Sequence, residues 1–301
     1  MSVTTLHELY AVTVNAVFMD QVSDYMCSLA VQEAIANGDG LVDPTFVATG
    51  SQAPRLSWTS SKVATILGSC GISGLALSST LTAFFQQITK GGTRAGASSH
   101  IRLTVNEGLV LPRTLNADQA SASLSLECIA TYDGTNNPIV IAAGQSLTGT
   151  PSVTEQFVAG PVSINGTTLN AVQSITIDFG IAETVAAGDG QVWPTFVAIG
   201  ERRPRITIQS LDVGFLNTTG ISGVAQSASD SVIFLRKVAK GATRVADDTA
   251  KHISFTIDDG MIITRSVGGS HGSPQMAEIE IIPTYDGSNA IMAIDTTAAI
   301  A

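Results

Sequence analysis

The chain has 301 residues and a formal net charge of −10, and 13% of its residues are charged while 44% are hydrophobic. So little charge is typical of a protein whose surface is partly covered by other subunits. The acidic balance, which both halves share, disfavours direct binding of nucleic acid, because a phosphate-binding surface needs clustered Lys and Arg.

The first part of the chain predicts short β-strands and one short helix. Alternating residues from Val12 through Val22 predict a first hairpin. Ser60 is predicted to cap a helix over 61–67, because the apolar residues of that segment share one side and Gly68 follows it. The other strands expected in this part lie at 84–88, 101–105, 123–131 and 139–141.

The second part predicts the same kinds of element after a Thr-, Gly-, Pro- and Ser-rich linker over 148–160. Strands at 162–164 and 169–179 flank Asn165 and Gly166, and Asn-Gly between alternating segments is the strongest short-range signal for a β-hairpin. Ser210 is predicted to cap a helix over 211–216. The later strands are expected at 232–238, 253–257, 278–284 and 291–294.

These two parts are related by an internal repeat with a period near 150 residues. The segment Pro44–Gly50 returns as Pro194–Gly200 with one difference. A period of domain length predicts a tandem duplication, with homologous β-sandwich domains at 1–150 and 151–301, each with one short helix. The fold class is therefore expected to be all-β.

The spacing between repeated residues drifts from 149 to 153 along the chain, as the pairs Gly71/Gly220 and Tyr132/Tyr285 show. A one-residue slip inside a strand would turn its buried face outward. Each change in spacing is therefore expected in a connection. The loops predicted in this way lie near 56–70, 75–89, 95–99 and 109–130.

Repeated cations are the main candidates for binding. Two Lys-Arg pairs frame glycine-rich turns that lack the P-loop pattern, so salt bridges between subunits are favoured over a phosphate site. In an acidic protein, such cations are natural partners for carboxylates on neighbouring subunits. The residues predicted to make these contacts are Lys90, Arg94, Lys240, Arg244, Arg55 and Arg205.

No pattern indicates catalysis, a cofactor or a metal ion. The repeated His100 and His252 each precede a strand and lack a nucleophile or ligand partner nearby, so a structural or interface role is expected. Aspartates followed by glycine are typical of tight turns, because Asp bonds its own backbone and Gly adopts positive φ. The aspartates interpreted in this way are Asp39, Asp189, Asp133 and Asp286. We therefore expect that the protein is not an enzyme.

The three cysteines, Cys27, Cys70 and Cys128, all lie in the first half. Their repeat counterparts are Ile177, Thr219 and Ile281, so we expect small buried free thiols rather than disulfides. This is consistent with assembly in a reducing cytosol. No run of 18 apolar residues predicts a membrane span, and the first residues lack the features of a secretory signal.

Residues 162–180, VSINGTTLNAVQSITIDFG, resemble the start of the β-sandwich virion proteins of tailed bacteriophages, especially tail tube proteins. The resemblance implies an N-terminal hairpin before a sandwich with one flanking helix. It also implies rings whose inner sheets form a barrel around an acidic lumen. In tubes with two fused domains, three chains supply six units of a ring, so the implied partners are copies of this chain and other virion proteins.

That family implies a place in the virion, assembly in the host cytoplasm, and passage of DNA without binding. The carboxylates expected to face a lumen are Asp118, Glu127, Asp258, Asp259, Glu278 and Glu280. Two other interpretations remain open. One is a double jelly-roll capsid protein. The other is a two-domain carbohydrate-binding or adhesin module, against which the aromatic content of 5% argues.

Overall fold

A computed structural model describes residues 5–19, 21–92, 94–96, 98–153, 155–221, 226–241 and 243–300. The elements of the first half are β1 (Thr5–Val14), β2 (Val17–Met19), β3 (Val22–Ser28), β4 (Gln32–Asn37), β5 (Pro44–Ser51), β6 (Arg55–Ser60), α1 (Val63–Cys70), β7 (Leu75–Ala76), β8 (Leu81–Thr89), β9 (His100–Val105), β10 (Glu107–Asp118), β11 (Ala122–Thr131) and β12 (Ile139–Gln145). Those of the second half are β13 (Phe157–Ile164), β14 (Thr167–Leu169), β15 (Val172–Asp178), β16 (Ile181–Ala186), β17 (Phe196–Arg202), β18 (Arg205–Ser210), α2 (Gly214–Thr218), β19 (Gln226–Ala228), β20 (Ser231–Lys237), β21 (His252–Ile257), β22 (Gly260–Gly268), β23 (Met276–Pro283) and β24 (Ala293–Ala298).

Strands dominate the described residues, and both helices found there are short, so the all-β class is confirmed. One large sheet runs through both halves in the order β19-β22-β23-β18-β15-β10-β11-β6-β3, with β7 beside β10. Two five-stranded sheets have the orders β12-β9-β8-β1-β2 and β14-β13-β20-β21-β24. Two separate hairpins, β4-β5 and β16-β17, complete the described strands.

All described strand pairs are antiparallel, and strands at repeat-related positions pair in the same order in the two five-stranded sheets. The large sheet crosses residue 150, where the boundary between two domains is expected, because β10 of the first half pairs with β15 of the second. The core follows this continuity. Buried side chains from both halves, including Trp58, Leu115, Ile177 and Phe255, belong to one hydrophobic cluster.

Both predicted helices exist, but their predicted boundaries and caps are wrong. The first helix begins at Val63 and continues through Gly68 to Cys70, and the residue that precedes it is Lys62. The Ser60 hydroxyl accepts a hydrogen bond from the Lys62 N–H before the helix begins. It therefore stabilises the turn that leads into the helix and does not cap it.

The second helix covers Gly214–Thr218, later than predicted. The Ser210 hydroxyl accepts a hydrogen bond from the Asp212 N–H, as the Ser60 hydroxyl does from the Lys62 N–H. The carboxylate of Asp212 accepts a hydrogen bond from the Phe215 N–H. An aspartate two residues after the predicted cap thus binds an N–H of the first turn.

The hairpin at Asn165 and Gly166 is confirmed, since β13 and β14 pair directly across that turn. The strand predicted over 169–179 is wrong as a single element. It is divided at Ala171, whose φ of 50° is in the left-handed region. The break sends β14 to the five-stranded sheet and β15 to the large sheet.

Three of the four predicted loops are mostly regular structure, namely 56–70, 75–89 and 109–130. The change in repeat spacing is confined to much shorter connections. The turn between β10 and β11 spans 119–121, whereas the corresponding turn between β22 and β23 spans 269–275. Strand registers are therefore kept, as expected. The predicted loops were too long because each was taken to fill the whole interval between two recognisable repeated residues.

Candidate functional site

The most informative site is the junction between the two halves. β10 and β15 pair antiparallel, with Leu115 opposite Ile177 and Ala117 opposite Ile175. Leu115, Ile175 and Ile177 have no exposed surface. The junction is thus a fully packed strand pair, and it joins the halves both by backbone hydrogen bonds and by buried apolar side chains.

A hairpin from the second half reaches over the first. We call residues 179–202, which contain β16 and β17, the second arm. Phe179 at its base is 1% exposed, and its N–H donates to the Arg113 carbonyl at 3.0 Å. Near its tip, the Pro194 carbonyl accepts from the Tyr132 N–H at 2.8 Å. The second arm is therefore fixed to the first half at both ends.

Four charged side chains meet under the second arm: Arg55, Arg113, Glu127 and Glu183, which we call the four-residue cluster. Arg55 Nη1 lies 3.0 Å from Glu127 Oε1 and 2.6 Å from Glu183 Oε1. Arg113 Nη2 lies 2.8 Å from Glu183 Oε2, and its Nε lies 2.7 Å from Glu127 Oε2. Two arginines thus share two carboxylates, and Glu183 is the member that comes from the other half.

The surroundings of the four-residue cluster determine its protonation. Burial alone raises the pKa of Glu183, but hydrogen bonds from Arg113 and Arg55 outweigh it and lower that pKa. Burial lowers the pKa of both arginines, while their bonds to Glu183 and Glu127 produce a net increase. The net pKa shift of Glu183 and of both arginines favours the charged form.

The second half holds a related group, Arg205, Arg265 and Glu280, which we call the three-residue cluster. Arg205 Nη1 lies 2.9 Å from Glu280 Oε1, and Arg265 Nε lies 2.5 Å from Glu280 Oε2. Burial raises the pKa of Glu280, and hydrogen bonds from Arg205 and Arg265 lower it further than burial raises it. Among the described residues, one carboxylate here serves two arginines.

The strand edges that correspond to the junction are open. At a spacing of 152 residues, which separates His100 from His252, residues 266–268 of β22 match 114–116 of β10. At the spacing of 150, residues 26–28 of β3 match 176–178 of β15. In the described part of the chain, 266–268 pair only with β23 and 26–28 only with β6. Val267 is 48% exposed where Leu115 is buried, and Met26 is 62% exposed.

The structure places the six predicted contact residues in different settings. Arg55 and Arg205 lie in the two clusters and bind carboxylates of their own chain. Arg94 binds Gln86 and Glu8, and Arg244 binds the Gln119 carbonyl. Lys90 and Lys240 lie in exposed turns. Contacts of these six residues with other subunits stay a prediction.

The remaining candidate residues have structural settings. His100 and His252 are buried, and their Nδ1 atoms accept the N–H groups of Gln87 and Lys237. Asp133 accepts hydrogen bonds from two backbone N–H groups of its turn, and Asp286 does the same in its own turn. Hydrogen bonds from Asn136 and Thr135 lower the pKa of Asp133.

Two groups of predicted residues have clear outcomes. The three cysteines are free thiols, and Cys70 and Cys128 are buried as predicted, whereas Cys27 is only partly buried. Burial raises the pKa of Cys70 to about 12. Glu127 and Glu280, expected at a lumen, instead lie in the arginine clusters with side chains only 18% and 9% exposed. Among the described residues, no group of three or more His, Cys, Asp or Glu can hold a metal ion.

Sequence reasoning missed Glu183 and its counterpart Glu33. The signal was present, because these glutamates stand 150 residues apart. Each lies in a hairpin that begins soon after a strand of the large sheet. A comparison of repeated charges of both signs, rather than of cations alone, would have found them.

Comparison with protein-family models and with curated protein sequences found no match. Neither helix in the described part of the chain has the length and apolar character of a membrane span.

Proposed function

We propose that this chain is a structural protein that joins copies of itself head to tail into a ring, and that stacked rings form a phage tail tube. The observation that carries the proposal is the open pair of strand edges at 266–268 and 26–28. They occupy the repeat-related positions of the closed junction between β10 and β15.

An exposed strand edge offers unpaired N–H and C=O groups to another chain. The two edges of this chain are different surfaces, so their contact is heterologous. A heterologous contact repeats from copy to copy, and it gives a ring when its rotation closes. Pairing Val267 with Cys27 would place apolar groups where the junction has Leu115 and Ile177.

We further propose that the halves are homologous units, related within the chain as neighbouring chains are related in the ring. The matching strand order of the two five-stranded sheets supports this. By analogy with the tail tubes of two fused domains that residues 162–180 resemble, three chains would supply six similar units. A continuous sheet through both halves also favours a ring over a double jelly-roll shell, because each jelly roll closes within its own domain.

The proposed tube would conduct DNA without binding it. The net charge of −10 supports this, because an acidic wall repels phosphates and the repulsion is stronger at low salt. The proposed partners are copies of this chain, which form the ring, and other virion proteins.

Electron microscopy combined with sedimentation of the purified protein tests the proposal. We expect rings of three chains and, at higher concentration, stacked tubes with a central channel. A chain that stays monomeric at all protein and salt concentrations contradicts self-assembly. Closed shells instead of tubes support the capsid alternative.

A further inference from the structure

The exposed hairpin of the first half has a packed counterpart in the second. We call residues 29–52, which contain β4 and β5, the first arm; they correspond to the second arm at a spacing of 150 residues. Both arms are antiparallel hairpins. In the second arm, Phe179 and Ile181 are 1% and 7% exposed, whereas their counterparts Leu29 and Val31 are both 47% exposed.

The same contrast continues along the hairpins. Val185 and Val197 of the second arm pack against the core. Their counterparts in the first arm, Ile35 and Val47, are 56% and 65% exposed. The first arm therefore presents apolar side chains at these four positions, where the second arm packs. Trp193 and Ile199 of the second arm correspond instead to Asp43 and Thr49.

The surface that corresponds to the second arm's binding site is also exposed. Tyr132, which packs against Trp193 with ring centroids 5.4 Å apart, corresponds to Tyr285. Tyr285 is 65% exposed. Arg205 and Arg265 are 52% and 44% exposed, compared with 35% and 25% for their counterparts in the four-residue cluster.

The charges of the two surfaces are complementary. In the four-residue cluster two arginines are neutralised by two glutamates, one of them supplied by the second arm. The three-residue cluster has two arginines and one glutamate, so one positive charge is uncompensated among the described residues. The residue that corresponds to Glu183 is Glu33, an exposed residue of β4 that has no ion pair in the described part of the chain.

We propose that the first arm of one copy binds over the second half of the next copy, and that its Glu33 completes the three-residue cluster by binding Arg205 and Arg265. This proposal rests on the head-to-tail association proposed above and names the side chains that hold it. The occupant is a second copy, because the chain contains both the exposed arm and, within itself, an example of the finished contact.

The direction of the contact agrees with that of the open strand edges. Within the chain, the second half supplies both β15 and the second arm to the first half. Between copies, the first half of one chain would supply β3 and the first arm to the second half of the next. A single arrangement of neighbouring copies therefore pairs the strand edges, covers the apolar first arm and supplies a carboxylate to the two arginines.

The test is the self-association of Glu33→Gln, measured by sedimentation over a range of protein concentrations. We expect the association constant for each contact to fall about tenfold, because the change leaves the second arginine of the partly buried three-residue cluster uncompensated. The matched control is Asp39→Asn, which removes the same charge from the tip of the same arm. Its counterpart Asp189 forms no described ion pair, so this control should assemble as the wild type does.

A second measurement identifies the partner of Glu33. In a double-mutant cycle with Arg265→Gln, the two changes should weaken association by clearly less than the product of their separate factors, because they remove the same interaction. Independent effects of the two changes, or normal assembly of Glu33→Gln, overturn the inference while the proposed ring stands. A wild-type chain that never self-associates overturns both.

Discussion

Glu183 should stabilise the folded chain because it binds the second arm to the first half. Its carboxylate accepts one hydrogen bond from Arg55 and one from Arg113, at 2.6 and 2.8 Å, and its side chain is 13% exposed. A hydrogen bond to a charged group contributes about 1.5–3 kcal/mol. Three features keep the expected loss at the low end of this range: solvent reaches both arginines, Glu127 still binds them, and a glutamine can still accept one hydrogen bond. We therefore expect Glu183→Gln to lower the free energy of unfolding by about 1.5 kcal/mol.

Urea unfolding at low protein concentration measures this loss, and Glu33→Gln is the control, since surface substitutions change stability by less than about 0.5 kcal/mol. The pH dependence gives a second check. The pKa of Glu183 is lowered in the folded state, so its contribution is present above the unfolded pKa and is lost as pH falls through the folded one. The difference between wild type and Glu183→Gln should therefore shrink below about pH 4. Equal stability of the two Gln variants at pH 7 would refute the argument.

Three further predictions concern packing, backbone strain and DNA. Leu115→Ala should destabilise the chain by about 3 kcal/mol in urea unfolding because Leu115 is fully buried, whereas Val267→Ala should weaken assembly with little effect on the monomer. Gly180→Ala should cost roughly 2–3 kcal/mol in the same assay and Gly190→Ala about 1 kcal/mol. Both glycines have positive φ, but only at Gly180 would a Cβ meet backbone, 2.0 Å from the Arg203 oxygen. Electrophoretic mobility of duplex DNA should be unchanged by assembled protein even at low salt, and tight salt-sensitive binding would contradict the acidic conduit.

Alternation and turn chemistry were sufficient to predict many strands. β21, with its alternating sequence, and the hairpin at Asn165 and Gly166 both lie where they were expected. β10 was predicted as a loop. It contains Pro112, and its register shifts between Pro112 and Thr114. A proline and a bulge both interrupt the period-two pattern on which strand prediction depends.

The two arms and the clusters were harder to predict for a different reason. Every residue of β4 is exposed, so its sequence carries no buried face to detect. The four-residue cluster brings together residues as far apart in sequence as Arg55 and Glu183. Only the pairing of β10 with β15 makes them neighbours, and alternation does not specify which strand pairs with which.

A cysteine cross-link tests the central claim most directly, namely that the open edges pair in the register of the junction. Because Leu115 lies opposite Ile177, residue 267 of one copy should lie opposite the native Cys27 of the next. Residues directly opposite in an antiparallel pair have Cα atoms about 4.5–5.5 Å apart, which suits a disulfide. The control is Ser266→Cys, whose side chain points to the other face of the strand.

Assembled Val267→Cys should therefore form disulfide-linked chains when it is oxidised with diamide. On a non-reducing gel the ladder should end at three chains, and the additional change Cys27→Ser should abolish it. Ser266→Cys should cross-link far less. If Val267→Cys assembles normally but forms no cross-link, or no more than Ser266→Cys does, then the chains do not join through these edges and the account is contradicted.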